Sequence, residues 1–348
     1  MDCLAKEDER KTKLKWLIVG LGSIGRRHLR NLLAMGQEDI LLFRTHQSTL
    51  PDDELARFPI ETDLKQALSH KPDAVIIANP TALHLEIAIP AAEAGCHLLI
   101  EKPVAAKFDK DIYVLQRAVE QAGVETLVGF QFRFHPVLMK VKALLDAGAI
   151  GRPLTFRAHW GEYLPNWHPW EDYRLSYAAR KALGGGVVNT LCHPLDYVRW
   201  LFGEVQALFA YTDRVSDLVL DVEDVAEMTL NFNSGVVGSV HLDYIQQPPA
   251  HWLEINGSGG YIRWDNETGI AKVFFVEGKR WESIEPPSGF ERNDLFLAEL
   301  EHFHAVINGK GISRCNLADG IQSLMLTSAV HESAEMGMMV EFPLVSGE

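Results

Sequence analysis

The stretch LKWLIVGLGSIGRRHLRNLLAMG, residues 14–36, decides the fold. The apolar run WLIV reads as a buried strand, and the segment from Ser23 to Met35 repeats its apolar residues at helical spacing. Between the two lie Gly20, Gly22 and Gly25 in the pattern G-x-G-x-x-G. Gly20 permits the tight turn, Gly22 lets backbone N–H groups approach a pyrophosphate, and Gly25 lets the helix pack close to the strand. The N–H groups of Ser23 and Ile24 open the helix at its partially positive end, where an anion is favoured. A ligand-free structural turn uses the same letters, so partners must come from the rest of the chain.

Outward from this turn, short apolar strands alternate with helical segments as far as Leu127. DILLF, DAVIIA, CHLLIE and ETLVGF read as strands, whereas Asp63–His70, HLEIAIPAAEAG and KDIYVLQRAVEQAG read as helices. That alternation predicts a parallel, doubly wound sheet of the Rossmann kind over residues 14–128. After Phe130 the texture changes. A helix, PVLMKVKALLDAG, precedes longer runs of period two, and VAEMTLNF-NSG-VVGSVHLDY predicts an antiparallel hairpin. WLEINGSGGYIRWD and IAKVFFVEGKRW continue the strands, and two helices near Asp294–Asn308 and Leu317–Met336 close the chain. Residues 129–348 are therefore expected to form a second, α+β domain.

The 348 residues carry 33 basic and 47 acidic side chains, a formal charge of −14 that disfavours nucleic acid and anionic membranes. A small-molecule partner fits better. Cys3, Cys96, Cys192 and Cys315 are far apart and form no C-x-x-C pair, which argues against disulfides or structural zinc and for a reducing cytoplasm. The charged N-terminus, MDCLAKEDERKTK, has no apolar core of a signal peptide and reads as a frayed tail.

Several residues could complete a dinucleotide site. The second strand ends ILLFRTHQS, with Arg44, Thr45 and Ser48 where an acid would hold an adenosine ribose; a guanidinium there suits a 2′-phosphate and favours NADP over NAD. Arg44 stacked on adenine or facing solvent is the alternative, and Asp52 and Asp53 read as a loop or helix cap. In VIIANPTALH, Asn79, Pro80, Thr81 and His84 follow a strand at its carboxyl edge, where open α/β sheets bind ligands; Thr81 would serve equally as a helix cap. In CHLLIEKP, Glu101, Lys102 and Pro103 stand at the same edge. A lysine in that crevice could hydrogen-bond a substrate hydroxyl, with burial lowering its pKa toward proton transfer, although most lysines are solvated.

In LGGGVVNTLCHPLDYVRWLFG, Asn189 and His193 are four apart, on one face of any helix formed there, and the glycine run allows close approach to a ligand or another chain. His193 can accept a proton near neutral pH, or be structural, with Asp196 capping or pairing with Arg199. A metal set of His193, Asp196 and His241 matches no familiar ligand spacing, so no metal is expected. The run RAHWGEYLPNWHPWEDYR supplies Trp160, Tyr163, His168 and Tyr173, rings and donors suited to a carbohydrate or to a subunit interface.

The order G-x-G-x-x-G, then E-K-P, then a glycine run and N-x-x-x-H-x-x-D resembles the Gfo/Idh/MocA family, which includes glucose-fructose oxidoreductase and inositol dehydrogenase. The resemblance spans nearly the whole chain, including VGFQFRFHP. It implies a Rossmann domain joined to an α+β domain with a large, mostly antiparallel sheet, often used for dimer or tetramer contacts. It implies NAD(P)-dependent transfer of hydride at a secondary alcohol of a sugar, sugar acid or cyclitol. Lys102 would hold the reacting hydroxyl, His193 would be the catalytic base, and the Lys102–Pro103 bond would be cis. Asn189 stands where many members have aspartate; an amide cannot take a proton, but it can orient a ring or a hydroxyl. Arg133, Trp160, Tyr163, His168 and Tyr173 are the expected substrate contacts, with Asn189 and His193. The departures keep two other readings open, a nucleotide-binding regulator or scaffold without catalysis and a glycosidase that uses NAD transiently.

Overall fold

The structure is a computed structural model that describes residues 13–45, 50–169 and 171–342. The expected N-terminal tail, Ser48 and Trp170 lie outside these residues. In the first half the strands are β1 (Trp16–Val19), β2 (Ile40–Phe43), β3 (Ile60–Glu61), β4 (Ala74–Ile77), β5 (His97–Ile100) and β6 (Thr126–Val128). They are joined through α1 (Ser23–Ala34), α2 (Leu64–Ser69), α3 (His84–Glu93) and α4 (Lys110–Ala122). All pair in parallel in the order β3-β2-β1-β4-β5-β6, so the chain reverses its winding between β1 and β4. At that point two connections leave in opposite directions and open a crevice at the carboxyl edge. β1, β4 and β5 are apolar because both faces are covered.

The second half runs α5 (Pro136–Asp146), β7 (Pro153–Gly161), α6 (Val187–Thr190), α7 (His193–Phe202), β8 (Val205–Asp213), β9 (Val225–Phe232), β10 (Val237–Asp243), β11 (Ala250–Gly257), β12 (Gly260–Asp265), β13 (Ala271–Phe275), β14 (Arg280–Ile284), α8 (Arg292–Ile307), α9 (Leu317–Met336) and β15 (Val340–Glu341). Nine strands form one sheet, β14-β13-β12-β11-β7-β10-β9-β8-β15, antiparallel except where β7 meets β10. The expected hairpin is β9–β10, turning at Gly235 with φ +80°. Alternate residues such as Phe156, Ala158 and Trp160 face the core, while His159, Trp252 and His241 line the other face, where Phe209, Tyr211, Val237 and Trp281 are exposed.

Two apolar cores result, and the last two helices belong to both. Leu300 and Phe303 of α8 and Leu317, Ile321 and Leu324 of α9 complete the core of the first sheet, and Leu326, Ala329 and Val330, further along α9, enter the second. Two hydrogen bonds fix this seam: Val128 N–H donates to the Cys315 carbonyl at 2.8 Å, and Leu317 N–H to the side-chain Oγ1 of Thr126 at 2.9 Å. One expectation fails locally. Asn189 and His193 do not share a helix, because the chain breaks at Leu191 and Cys192 between α6 and α7, placing His193 at the first position of α7 ahead of Pro194.

Candidate active site

The glycine turn has the features a pyrophosphate requires. Gly20 has φ +84°, and a Cβ at Gly25 would stand 1.8 Å from the Gly20 carbonyl oxygen, so α1 can approach β1 only with glycine there. A Cβ at Gly22 would meet nothing within 4 Å, so the space above it is open. No side chain caps α1, which leaves its first N–H groups, at Ser23 and Ile24, directed at that space. Asn79, at the end of β4, keeps a buried Oδ1 without a partner. These features fit a dinucleotide.

Other expected cofactor residues act one step back. His84 is buried, with Nδ1 3.0 Å from the Pro103 carbonyl and Nε2 2.9 Å from that of Asn79, so it ties two edge loops together rather than presenting itself to a ligand. Thr81 opens a 3₁₀ turn and is not the cap of α3, which starts at His84 after Leu83. Glu101 turns inward, its Oε1 2.7 Å from His28 Nε2. Arg44 is buried against Asp52, with 2.7 Å between Nη1 and Oδ1, while its Nε stays without a partner. Asp52, read from the sequence as a loop or cap residue, therefore supplies a carboxylate beside the end of β2.

The two halves meet at Lys102. The Lys102–Pro103 bond is cis, and Nζ donates to the Thr190 carbonyl at 2.5 Å, across 88 residues of sequence. The expectation that burial would lower the pKa of Lys102 is overturned. Burial does oppose the charge, but Tyr177, Cys192 and Glu101 outweigh it and hold the ammonium above its ordinary value. His193 moves the other way. Burial, followed by the nearby Lys102, His251 and Arg292, pushes its imidazole well below the ordinary 6.5, and the positive end of α7 acts in the same sense. At neutral pH a cationic amine thus stands near a neutral ring. His193 Nδ1 and Asn189 Oδ1 are buried without partners, and Lys102 spends one of its three donors on Thr190.

Asn189 has a reason to be an amide. Its Nδ2 donates to the carbonyls of Ala106 at 3.2 Å and Gly184 at 3.3 Å, contacts that an ionised aspartate would repel. Within the chain the glycine run permits close packing: a Cβ on Gly184 would crowd Thr81, Ala82 and Ala106 of the first domain, and one on Gly186 would strike Glu223.

The expected substrate contacts divide. Trp160 stacks on His193 with ring centroids 5.5 Å apart and on His251 at 4.2 Å, while Phe132 meets His193 edge-on at 5.1 Å. Trp160 is thus a buried support for the imidazole. Arg133 is 3% exposed; its Nε and Nη2 grip the Asp196 carboxylate at 2.9 and 2.8 Å, and Nη1 donates to the Arg314 carbonyl at 2.8 Å. It is a brace rather than a substrate contact, and Asp196 pairs with it, not with Arg199, which takes Glu204 and Asp319. The Tyr173 hydroxyl accepts the Val219 N–H at 3.0 Å and fixes the loop there. Tyr163 and His168 stay half-buried in the segment after β7.

Sequence reasoning missed Tyr177, His251, Arg292 and Glu299. Tyr177 bears on Lys102, and His251 and Arg292 on His193. No motif flags them; only the position of Tyr177 seven residues before the glycine run pointed at the site.

Residues 142–342 match the family described as the oxidoreductase family, C-terminal alpha/beta domain (GFO_IDH_MocA_C), and residues 14–130 the same family's NAD-binding Rossmann fold. A levoglucosan dehydrogenase from Pseudarthrobacter phenanthrenivorans is 28% identical over 320 residues, 78% of this chain and 80% of the relative. A myo-inositol 2-dehydrogenase from Thermotoga maritima is 27% identical over 350 residues, 95% and 99% of the two chains. Among solved structures, levoglucosan dehydrogenase in complex with NADH superposes with a TM-score of 0.85 at 25% identity, covering 96% of this chain and 100% of that one.

Proposed function

The chain belongs to the Gfo/Idh/MocA oxidoreductase family, and from that premise we propose that it moves hydride between NAD(P) and a secondary alcohol of a sugar, sugar acid or cyclitol. One observation carries this reading: Lys102 of the first domain is bonded to the Thr190 carbonyl, three residues before His193, so amine and imidazole converge from different folding units. The relatives named for levoglucosan and myo-inositol support the substrate class.

Bound at the crevice, the nicotinamide supplies the carbon that accepts or returns hydride. The chain's residues do the rest. Neutral His193 takes the hydroxyl proton, the Lys102 ammonium holds the oxygen as negative charge develops, and Asn189 Oδ1 accepts a hydrogen bond from a neighbouring hydroxyl. Trp160 and Phe132 fix the imidazole plane, and Tyr163 and His168 serve as substrate contacts. The reading is tested by reduction of NAD(P)+ against a panel of polyols, sugars and sugar acids. His193→Ala and Lys102→Ala should each cut turnover at least about 100-fold with nucleotide affinity retained. Unchanged turnover in both would remove His193 and Lys102 from these roles, whereas nucleotide binding with no turnover on any substrate would favour the regulator instead.

At the adenosine end two readings have support. The unpartnered Nε of Arg44 suits the 2′-phosphate of NADP, whereas the Asp52 carboxylate on the same guanidinium suits the free ribose hydroxyls of NAD. Arg44→Ala weakening NADPH more than NADH supports the first; equal weakening supports the second.

The exposed Phe209, Tyr211, Val237 and Trp281 on the uncovered face of the nine-stranded sheet support a homodimer or homotetramer formed there. Light scattering behind size exclusion checks that. Among the described residues, no helix is long and apolar enough to cross a membrane. The buried, unpaired Cys96, Cys192 and Cys315 support a reducing, cytoplasmic setting.

A further inference from the structure

Glu299 of α8 is completely buried, and neither of its carboxylate oxygens has a hydrogen-bond partner. Beside it, Glu101 Oε1 lies 2.7 Å from Nε2 of His28, which is also fully buried and whose Nδ1 has no partner. One ligating atom from each of the three falls within 4.8 Å of the others. Two carboxylates this close and this dry cannot both stay ionised without a cation, and burial, reinforced by Glu101, pushes the Glu299 carboxyl well above its ordinary value.

Among the described residues, no neighbouring cation is paired with it. From α1 come His28, bonded to Glu101, and Arg27, which lies over the Phe296 ring at 4.5 Å. From the end of β5 come Glu101 and Lys102, the latter bonded to Thr190. Cys315, before α9, is a buried thiol pushed up by its surroundings, Arg133 is committed to Asp196, and Arg292 is exposed at the start of α8. A metal ion is the rival occupant. The 2.7 Å between His28 and Glu101 is shorter than the roughly 3.3 Å edge of a tetrahedron with bonds of about 2.0 Å, so these two atoms are bonded to each other and do not flank an ion.

We propose that Glu299 is a positioning residue that carries a proton at neutral pH and donates it to Glu101, leaving one negative charge clamped between His28 and Glu299 next to Lys102. The clamp keeps the Glu101 carboxylate in the place from which it supports the Lys102 ammonium. Its catalytic half rests on the role given to Lys102 above; the protonation itself does not.

The experiment compares wild type with Glu299→Gln and Glu299→Leu. A carboxyl held neutral in the fold but ionised on unfolding makes wild type lose stability as pH rises from about 4.5, a slope the amide lacks. The melting temperature of Glu299→Gln minus that of wild type should therefore climb from pH 5 to 9; a constant or falling difference overturns the proposal. Should the amide variant fail to fold, infrared spectra of wild type with 13C-labelled glutamate decide the matter. A protonated-carboxyl band at pH 7 is expected, and its absence overturns the proposal. Stoichiometric metal in purified wild type also overturns it. In turnover, Glu299→Gln should stay within about three-fold of wild type, whereas Glu299→Leu should lose at least about ten-fold in kcat with KM within about three-fold. Equal losses in the two variants overturn the positioning role. A wild type that turns nothing over sinks the dehydrogenase reading alone, since melting and infrared still report the proton.

Discussion

At the scale of the residue, Asn189 shows how a single letter misleads when its partners are unknown. The family resemblance marks it as an aspartate position filled by a weaker group, but its amide donates to the carbonyls of Ala106 and Gly184, which tie the turn before His193 to the first domain. Asn189→Asp should therefore not improve the enzyme. It should lower stability by about 1–3 kcal/mol through two lost donors and lower turnover as well, read by urea midpoints and initial rates at pH 8. A gain in kcat with unchanged stability would refute this account. The neighbouring ring makes a second prediction. With His193 as the proposed base, oxidation needs the neutral imidazole, and His193 is neutral down to well below 6.5 while Lys102 stays charged past its ordinary 10.5. The pH profile of kcat/KM for oxidation should thus show no half-loss at about 6.5, and its acid limb should lie lower. A limb centred on 6.5 that vanishes in His193→Ala would place the ring in water instead.

At the scale of the element, the strand–turn–helix opening was legible because its chemistry is local: three glycines, an apolar run and a helical period specify β1, the turn and α1 without help from elsewhere. The glycines differ in a way that can be measured. Gly22→Ala meets nothing in the protein and keeps an allowed backbone, so it should fold with near-normal stability yet weaken NADH at least about ten-fold by intruding on the pyrophosphate. Gly25→Ala must push α1 off the Gly20 carbonyl and should destabilise the whole domain. Equal effects of the two on melting temperature and NADH affinity would contradict that division. What remained hidden depends on pairs distant in sequence. Nothing near Arg133 announces that Asp196, 63 residues on, will take its guanidinium, and so it read as a substrate contact. Arg133→Met should leave a buried, uncompensated carboxylate and cost about 3–5 kcal/mol. Where the protein is still folded, its KM should match wild type; a raised KM without a change in stability would restore Arg133 to the substrate.

At the scale of the whole molecule, a chain with formal charge −14 nevertheless brings Lys102, Arg27 and Arg292 close together beside Glu101, a local group of cations that favours an approaching phosphate. The alternation of strands and helices made the first sheet readable, but not what covers it. The parallel β7–β10 pair and the return of α8 and α9 to the first core come from contacts more than 70 residues apart, which no local period encodes. Trp16 of β1 meets Phe303 of α8 with rings 6.2 Å apart, and Val128 of β6 presses against α9 so closely that a Cβ on Gly320 would stand 2.4 Å from its Cγ2. Residues 14–128 alone would expose Trp16, Leu127, Val128 and the faces beneath Leu317 and Ile321 to water, several side chains each worth about 1.5–3 kcal/mol of burial, against a total stability of about 5–15 kcal/mol. That segment expressed by itself should show no cooperative thermal transition and no NADH binding. The same segment joined by a flexible linker to residues 291–327 should recover both, because α8 and the first turns of α9 restore the missing wall. Cooperative melting and NADH binding by residues 14–128 alone would show that the glycine-turn sheet is self-sufficient and that the closing helices serve only the second domain.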